Sequence, residues 1–189
     1  SHLNIGGITS YLLWLSGGLV RRGHEVIVVS GGGVLEPRLE ALGATLWLEA
    51  LHTSAEFSPR VWRSSRRMLS RLQEHPVDLL HAHTRVGHVV AERLSRRLRI
   101  PYVTTWHGFF RPNLGRRLWP CTGDLAIAIS EPVRQHLVCD FGVPEARVRL
   151  IPHGIDPTPF ESPADPFARE ALRTQLKLPA NGPIVGTVA

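Results

Sequence analysis

The sequence predicts an α/β fold, a parallel sheet with helices on both faces. Three observations carry that expectation. Segments of helical and strand period alternate along nearly all 189 residues, the signature of repeated strand–helix–strand units. The run Val26-Ile-Val-Val29 is apolar throughout, as a buried strand is. A hydrophobic content of 43% supplies a core and excludes wholesale disorder.

Taken in order, residues 8–22 place Ile8, Leu12, Leu15 and Leu19 at helical spacing and stop at Gly23, a residue suited to the end of a helix. Residues 25–30 form a strand closed by Gly31-Gly32-Gly33. A short helix (36–42) and a strand (44–48) follow. Residues 49–58 form a loop long enough for an α/β unit to suggest a binding role. An arginine-studded helix spans 59–74, a strand 77–81, a helix 86–98 and a strand 101–105. Residues 111–120 read as irregular and basic. A strand (125–129), a helix (131–141) and a strand (148–151) complete the domain. Five prolines between Pro152 and Pro166 mark an interdomain linker, followed by a helix over 167–178 and a new strand over 183–189. The expected organisation is a domain over 1–156, a linker and helix over 157–182, and the first strand of a second domain over 183–189. A helix that opens directly after Gly6-Gly7 also implies a strand before it, missing from this sequence.

The net charge is +6, and 21 of the 22 basic residues are arginine, Lys177 being the exception. Guanidinium groups suit phosphate and carboxylate, although a GC-rich genome also writes Arg for Lys. The clusters Arg21-Arg22, Arg63 to Arg67, Arg93 to Arg99 and Arg116-Arg117 mostly lie on helices, where solvated faces explain most of them. Peripheral contact with anionic lipid is the minority reading. Nucleic acid is not an expected partner, since no aromatic platform or groove-reading motif accompanies the charge. Cys121 and Cys139 match neither a disulfide framework nor a CxxC metal site, so a reducing cytoplasm is expected. No apolar run approaches the roughly 18 residues that span a bilayer.

Five places along the chain carry chemistry. Gly6-Gly7 opens a helix whose N-terminal N–H groups and dipole suit a diphosphate, although many helices begin after glycine and the GxGxxG fingerprint is absent. His81-Ala-His83 ends a strand at the sheet edge where open α/β sheets bind ligands, with Arg85 just beyond. No third ligand lies nearby, so the histidines line a site or pack rather than hold zinc. Thr104-Thr-Trp-His-Gly108 ends the next strand: a turn at Gly108 presents His107 beside His83, and Trp106 is a candidate sugar-stacking face. Ser130 and Glu131 stand at the next strand end, where helix capping competes with a site role. Ile151-Pro-His-Gly-Ile-Asp156 closes the series.

In order and spacing, Ile5-Gly-Gly-Ile8, Gly23-His-Glu-Val26, Val77-Asp-Leu-Leu-His-Ala-His83, Thr105-Trp-His-Gly108, Ala128-Ile-Ser130 and Ile151-Pro-His-Gly-Ile-Asp156 resemble the family 4 GT-B glycosyltransferases over roughly residues 4–156. His153 departs from the asparagine common there. The resemblance implies a Rossmann-like, acceptor-side N-terminal half of a retaining, hexosyltransferase-type enzyme. It further implies a nucleotide-diphosphate sugar donor and a glycan, lipid or small-molecule acceptor, lipopolysaccharide, capsule and glycolipid included. Gly6 and Gly7 would approach the donor diphosphate and His107 the transferred sugar. His83, Arg85, Trp106, Gly108, Ser130 and Glu131 are the remaining candidates for the site wall. No cofactor or catalytic metal is implied. The leaving diphosphate is stabilised in the family by an Arg and a Lys of the second domain, so this chain alone is expected to be inactive. The implied location is the cytoplasm or the inner face of its membrane. The competing readings are a UDP-sugar 2-epimerase of the same fold and a non-enzymatic flavodoxin-like binding domain.

Overall fold

A computed structural model of the chain describes residues 3–49, 58–161 and 165–185. The chain divides into two compact units, Ser1–Gly154 and Ile155–Ala189. The first unit runs α1 (Gly7–Val20), β1 (Ile27–Ser30), α2 (Glu36–Ala41), β2 (Thr45–Leu48), α3 (Pro59–Glu74), β3 (Leu80–Ala82), α4 (Arg85–Leu98), β4 (Tyr102–Trp106), α5 (Leu114–Leu118), β5 (Leu125–Ala128), α6 (Glu131–Gln135) and β6 (Val148–Leu150). The second unit holds α7 (Thr158–Glu161) and α8 (Pro166–Gln175), the latter capped by the Asp165 carboxylate, which accepts from Phe167 N–H at 3.1 Å.

The six strands expected between residues 25 and 151 all form, and every pairing is parallel. Among the described residues they make two sheets rather than the single one expected, β1-β2 and β3-β4-β5-β6. Helices cover both faces, and the alternation of strand side chains explains how. Ile27 and Val29 pack with Trp47 against α3 and α4. Val28, between them, points the other way into the cluster of Leu13 from α1 and Leu39 from α2. A third cluster joins Trp106, Ala126, Ala128 and Val148 to Val133, Leu137 and Phe141.

The strand ends are fixed by local chemistry. β3 begins at Leu80, three residues later than expected, where Leu80 N–H donates to the Pro101 carbonyl (3.0 Å); Pro101 has no N–H to return. Two of the helices, α3 and α4, are capped by a side chain. The Ser58 hydroxyl accepts from Val61 N–H with Pro59 in the first turn, and the Thr84 hydroxyl accepts from Gly87 N–H at 3.2 Å.

Three expectations are corrected. Residues 111–120 are not wholly irregular, because Asn113 caps the short α5 by accepting from Arg116 N–H at 2.9 Å. The helix expected over 131–141 is α-helical only to Gln135 and continues as a π turn, His136–Asp140. Residues 183–185 carry no regular structure, and 186–189 lie outside the described residues, as do 50–57 of the expected binding loop.

The turn into β5 makes a direct demand on sequence. Tyr102 N–H donates to the Asp124 carboxylate and Asp124 N–H to the Tyr102 carbonyl, both at 2.9 Å. Gly123, at φ +73, lies against that same carbonyl, which a Cβ would strike. Gly142, at φ +65, faces open space. Gly123→Ala should therefore cost about 3 kcal/mol, clash added to left-handed strain, and Gly142→Ala about 1 kcal/mol from the strain alone. Urea unfolding of both variants checks the difference; equal losses would remove the clash from the account.

Candidate functional site

The carboxyl ends of β3, β4 and β6 bring three strand-end histidines together under one turn of α1. His81 and His83 lie two residues apart, so both project from one face, and their ring centroids stand 4.1 Å apart. Thr105 and His107 occupy the same face of β4. His81 Nε2 lies 2.8 Å from Thr105 Oγ1, and His83 Nδ1 lies 3.2 Å from His107 Nε2. His153, three residues beyond β6, comes within 5.0 Å of the His107 ring. Tyr11 closes the cluster from α1: it stacks on His153 at 4.4 Å and meets His107 and His83 edge-on at 5.2 and 5.6 Å.

Gly7 lies four residues before Tyr11, on the same face of α1. The cap residue Gly6 offers no side chain, and Ser10 N–H donates back to the Gly6 carbonyl at 2.9 Å. The N–H groups of Gly7 and Ile8 precede the first intrahelical bond and point out of the helix. A Cβ on either glycine would meet nothing within 4 Å, so the space before the helix N-terminus is open. This is an arrangement that can receive an anion.

Burial keeps the cluster uncharged. It pushes His81 down to about 4 and His107 to about 4, with His153 and His81 adding to the effect on His107. His83 is driven well below the ordinary imidazole range, by burial first and by the neighbouring imidazoles second. His153 is lowered by burial as well. Each ring at neutral pH therefore offers one donor and one acceptor. His107 uses Nε2 toward His83, while its Nδ1 is buried with no partner. Among the described residues no three His, Cys, Asp or Glu side chains are arranged to hold a metal ion.

The structure brings Gly6, Gly7, His83 and His107 to one edge and redistributes the other candidates. Trp106 is not a sugar-stacking face: strand alternation turns it away from His107, and it is 0% exposed among Phe110, Phe141 and His88. Arg85 is buried and donates to the Trp119 carbonyl at 3.1 Å and to that of Pro120, so it fixes a loop. Gly108 adopts no left-handed conformation, so the turn does not demand glycine, although a Cβ there would also meet open space. Ser130 stands at the cap position of α6 without a capping side-chain bond. Glu131 accepts from Arg134 at 2.6 Å, and that guanidinium holds its carboxyl below the usual range. Sequence reasoning missed Tyr11 and the place of His153. The spacing from Gly7 to Tyr11 was the available signal.

The fold is shared with about half of several solved glycosyltransferases. A glycosyltransferase of Rickettsia africae superposes with a TM-score of 0.79 at 17% identity, over 96% of this chain and 50% of that one. The Anabaena protein HepE, solved with UDP-glucose, gives 0.69 at 20% identity, over 92% and 47%. A UDP-N-acetylglucosamine 2-epimerase shares the fold more distantly, at 0.54 and 11% identity over 78% and 46%. The chain belongs to glycosyltransferase family 4, whose sequence profile matches residues 5–159. An uncharacterized glycosyltransferase of Methanocaldococcus jannaschii is 25% identical over 83% of this chain and 44% of its own length. The D-inositol 3-phosphate glycosyltransferase of Xylanimonas cellulosilytica is 25% identical over 95% and 50%. The chain thus spans about half the length of the curated relatives it matches.

Beneath the cluster, His88 is fully buried and pushed down to about 3 by burial and then by Arg85, the backbone of Thr105 and Ala82 offsetting part of this. Like His81 and His107, it binds a proton more readily unfolded, near pH 6.5, than folded. The stability that depends on neutral rings is complete above about pH 6.5 and is lost as pH falls toward 4 and then 3. The melting temperature should therefore drop from pH 7 to pH 5, and His88→Leu should flatten that slope. An unchanged melting temperature across the range would contradict the buried neutral cluster.

Proposed function

We propose that the protein containing this chain transfers a sugar from a nucleotide-diphosphate sugar to an acceptor hydroxyl, and that this chain supplies the acceptor-side wall of the site. The convergence of His83, His107, His153 and Tyr11 beside the open N-terminus of α1 carries the reading. The N–H groups of Gly7 and Ile8 are suited to a donor phosphate, and helix dipoles favour negative charge there. HepE, with which the fold is shared, was solved with UDP-glucose, and that supports a nucleotide sugar here.

The proposed chemistry retains anomeric configuration. The acceptor oxygen bonds to the anomeric carbon on the face from which the diphosphate leaves, and the departing diphosphate oxygen takes the acceptor proton. Neutral imidazoles fit this better than a carboxylate pair, since they bond sugar hydroxyls without adding charge beside an anionic leaving group. In this reading His107, which contacts His83 on one side and Tyr11 and His153 on the other, meets the transferred sugar. Stabilisation of the leaving diphosphate belongs to the partner half of the fold, as does the choice of sugar. The epimerase reading has only the fold in its favour.

In the whole protein, His107→Ala should reduce transfer at least about 100-fold with the fold intact by circular dichroism; undiminished transfer would reject His107 as a site residue. The 189-residue chain by itself should form no product from any nucleotide-sugar donor. Product formation at the rate of the whole protein would show that the second half is not required.

A further inference from the structure

Between His107 and Cys121 the chain leaves the sheet and returns, and both feet of this excursion are fixed. At the first foot the His136 ring faces the backbone of Phe110, with Nε2 3.0 Å from its carbonyl oxygen and 3.3 Å from its nitrogen. His136 Nδ1 is itself 2.6 Å from the Asp140 carboxylate. At the second foot the buried Arg85 guanidinium donates to the carbonyls of Trp119 and Pro120. Asn113 caps α5 in between.

The excursion is thus shaped by the fold, yet it turns its apolar side chains to solvent: Phe109 is 65% exposed, Leu114 74% and Leu118 77%. Leu114 and Leu118 are four residues apart and share a face of α5. Residues 109–119 also include Arg111, Arg116 and Arg117 and no acidic residue. Exposed leucine and phenylalanine interleaved with arginine is what an interfacial segment needs. The apolar groups enter the headgroup boundary while the guanidinium groups meet lipid phosphates.

We propose that this excursion docks the protein on an anionic lipid bilayer, setting His107, two residues before Phe109, at the membrane surface. The docking does not depend on the transfer reading. It moves the membrane contact away from the Arg-rich helices α3 and α4. A groove of about 320 Å³ lies between them, lined by Trp62, Arg66, Arg93 and Arg97 among others. There Arg93 lies over Trp62 at 3.2 Å and Arg96 pairs with Glu92 at 2.6 Å. On α3, Arg67 pairs with Glu49 at 2.7 Å and Arg71 lies over Trp47 at 4.1 Å. Trp62 is the exposed apolar side chain of α3 and α4, too little to anchor those faces in lipid. A second copy is disfavoured at the excursion, because two acid-free arginine surfaces repel. Single-stranded nucleic acid would want several aromatic stacking platforms, whereas the excursion exposes a single phenylalanine beside two leucines.

The test is co-sedimentation of the whole protein with vesicles of phosphatidylcholine alone or mixed with phosphatidylglycerol. The expected result is binding to the mixed vesicles only, weakened by salt. Leu114→Ser with Leu118→Ser should lower partitioning at least about tenfold. Arg111→Gln with Arg117→Gln should lower it roughly thirtyfold, at about fivefold for each arginine. Arg66→Gln with Arg97→Gln should leave it unchanged. All four excursion side chains are exposed, so the melting temperatures should match the parent. As a second reading, Leu114→Cys labelled with a polarity-sensitive dye in a Cys139→Ser background should shift to the blue on adding mixed vesicles. Four outcomes would overturn the proposal: no binding to mixed vesicles, loss confined to the Arg66/Arg97 variant, a dimer that the leucine variant dissolves, or single-stranded nucleic acid displacing the vesicles.

Discussion

Parallel pairing of β4 with both of its neighbours governs everything at the site. Its register sets Ala82 beside Thr104 and Ala128 beside Trp106, and β5 in turn sets Leu150 beside Ala128. Because the strands run the same way, the residues that follow them emerge at one edge. His83 follows Ala82, His107 follows Trp106 and His153 comes soon after Leu150. A one-residue slip of β4 would exchange its two faces, sending His107 into the core and Trp106 into the site. The buried, fully paired position of this strand makes such a slip costly.

The same strand explains why the cluster stays neutral. Thr104 and Trp106 pack on the face away from α1, and Tyr102, Thr104, Thr105 and Trp106 are all nearly inaccessible to water. The histidines at the edge sit on this dry base with Tyr11 above them. A protonated ring there would lose most of its hydration and face other imidazoles rather than a carboxylate. Geometry and protonation thus have one cause. The packing that brings the rings within hydrogen-bond distance also prevents them from charging, so they serve as hydrogen-bonding groups instead of cations.

Much of this was legible in the sequence, for identifiable reasons. The six strands announced themselves through short apolar runs between helical segments, and a strand followed by His or Gly-Gly marks the ligand edge of a parallel sheet. His83, His107 and Gly7 were recoverable on that basis. Trp106 was misread because adjacency to His107 in sequence suggests adjacency in space, whereas strand alternation separates them. Arg85 was misread for a related reason: a guanidinium near a strand end is as apt to bind loop carbonyls as a ligand, and only the return of the chain at Trp119 and Pro120 decides. Tyr11 was invisible because its contacts depend on the rotation of α1 against the sheet, which packing sets. In α5, Asn113 followed by helical spacing of Leu114 and Leu118 was a usable capping signal, obscured by the surrounding arginines.

One stretch of chain, from Thr104 to Phe110, assigns a separate task to almost every side chain. Thr104 donates to the Thr122 carbonyl and Thr105 meets His81. Trp106 fills the core, His107 enters the cluster, and Phe110 is gripped by His136 while Phe109 is left in water. Alternation accounts for the first four and the end of β4 for the change that follows. Once the strand stops at Trp106, no sheet periodicity requires Phe109 to turn inward. His136 can anchor Phe110 because the π turn begins at its own position, after α6 has already packed Val133 against Trp106 and Ala128. The core cluster that buries Trp106 is therefore also what fixes the base of the exposed excursion, and a change in that core would be felt at His107 and at Phe109 together.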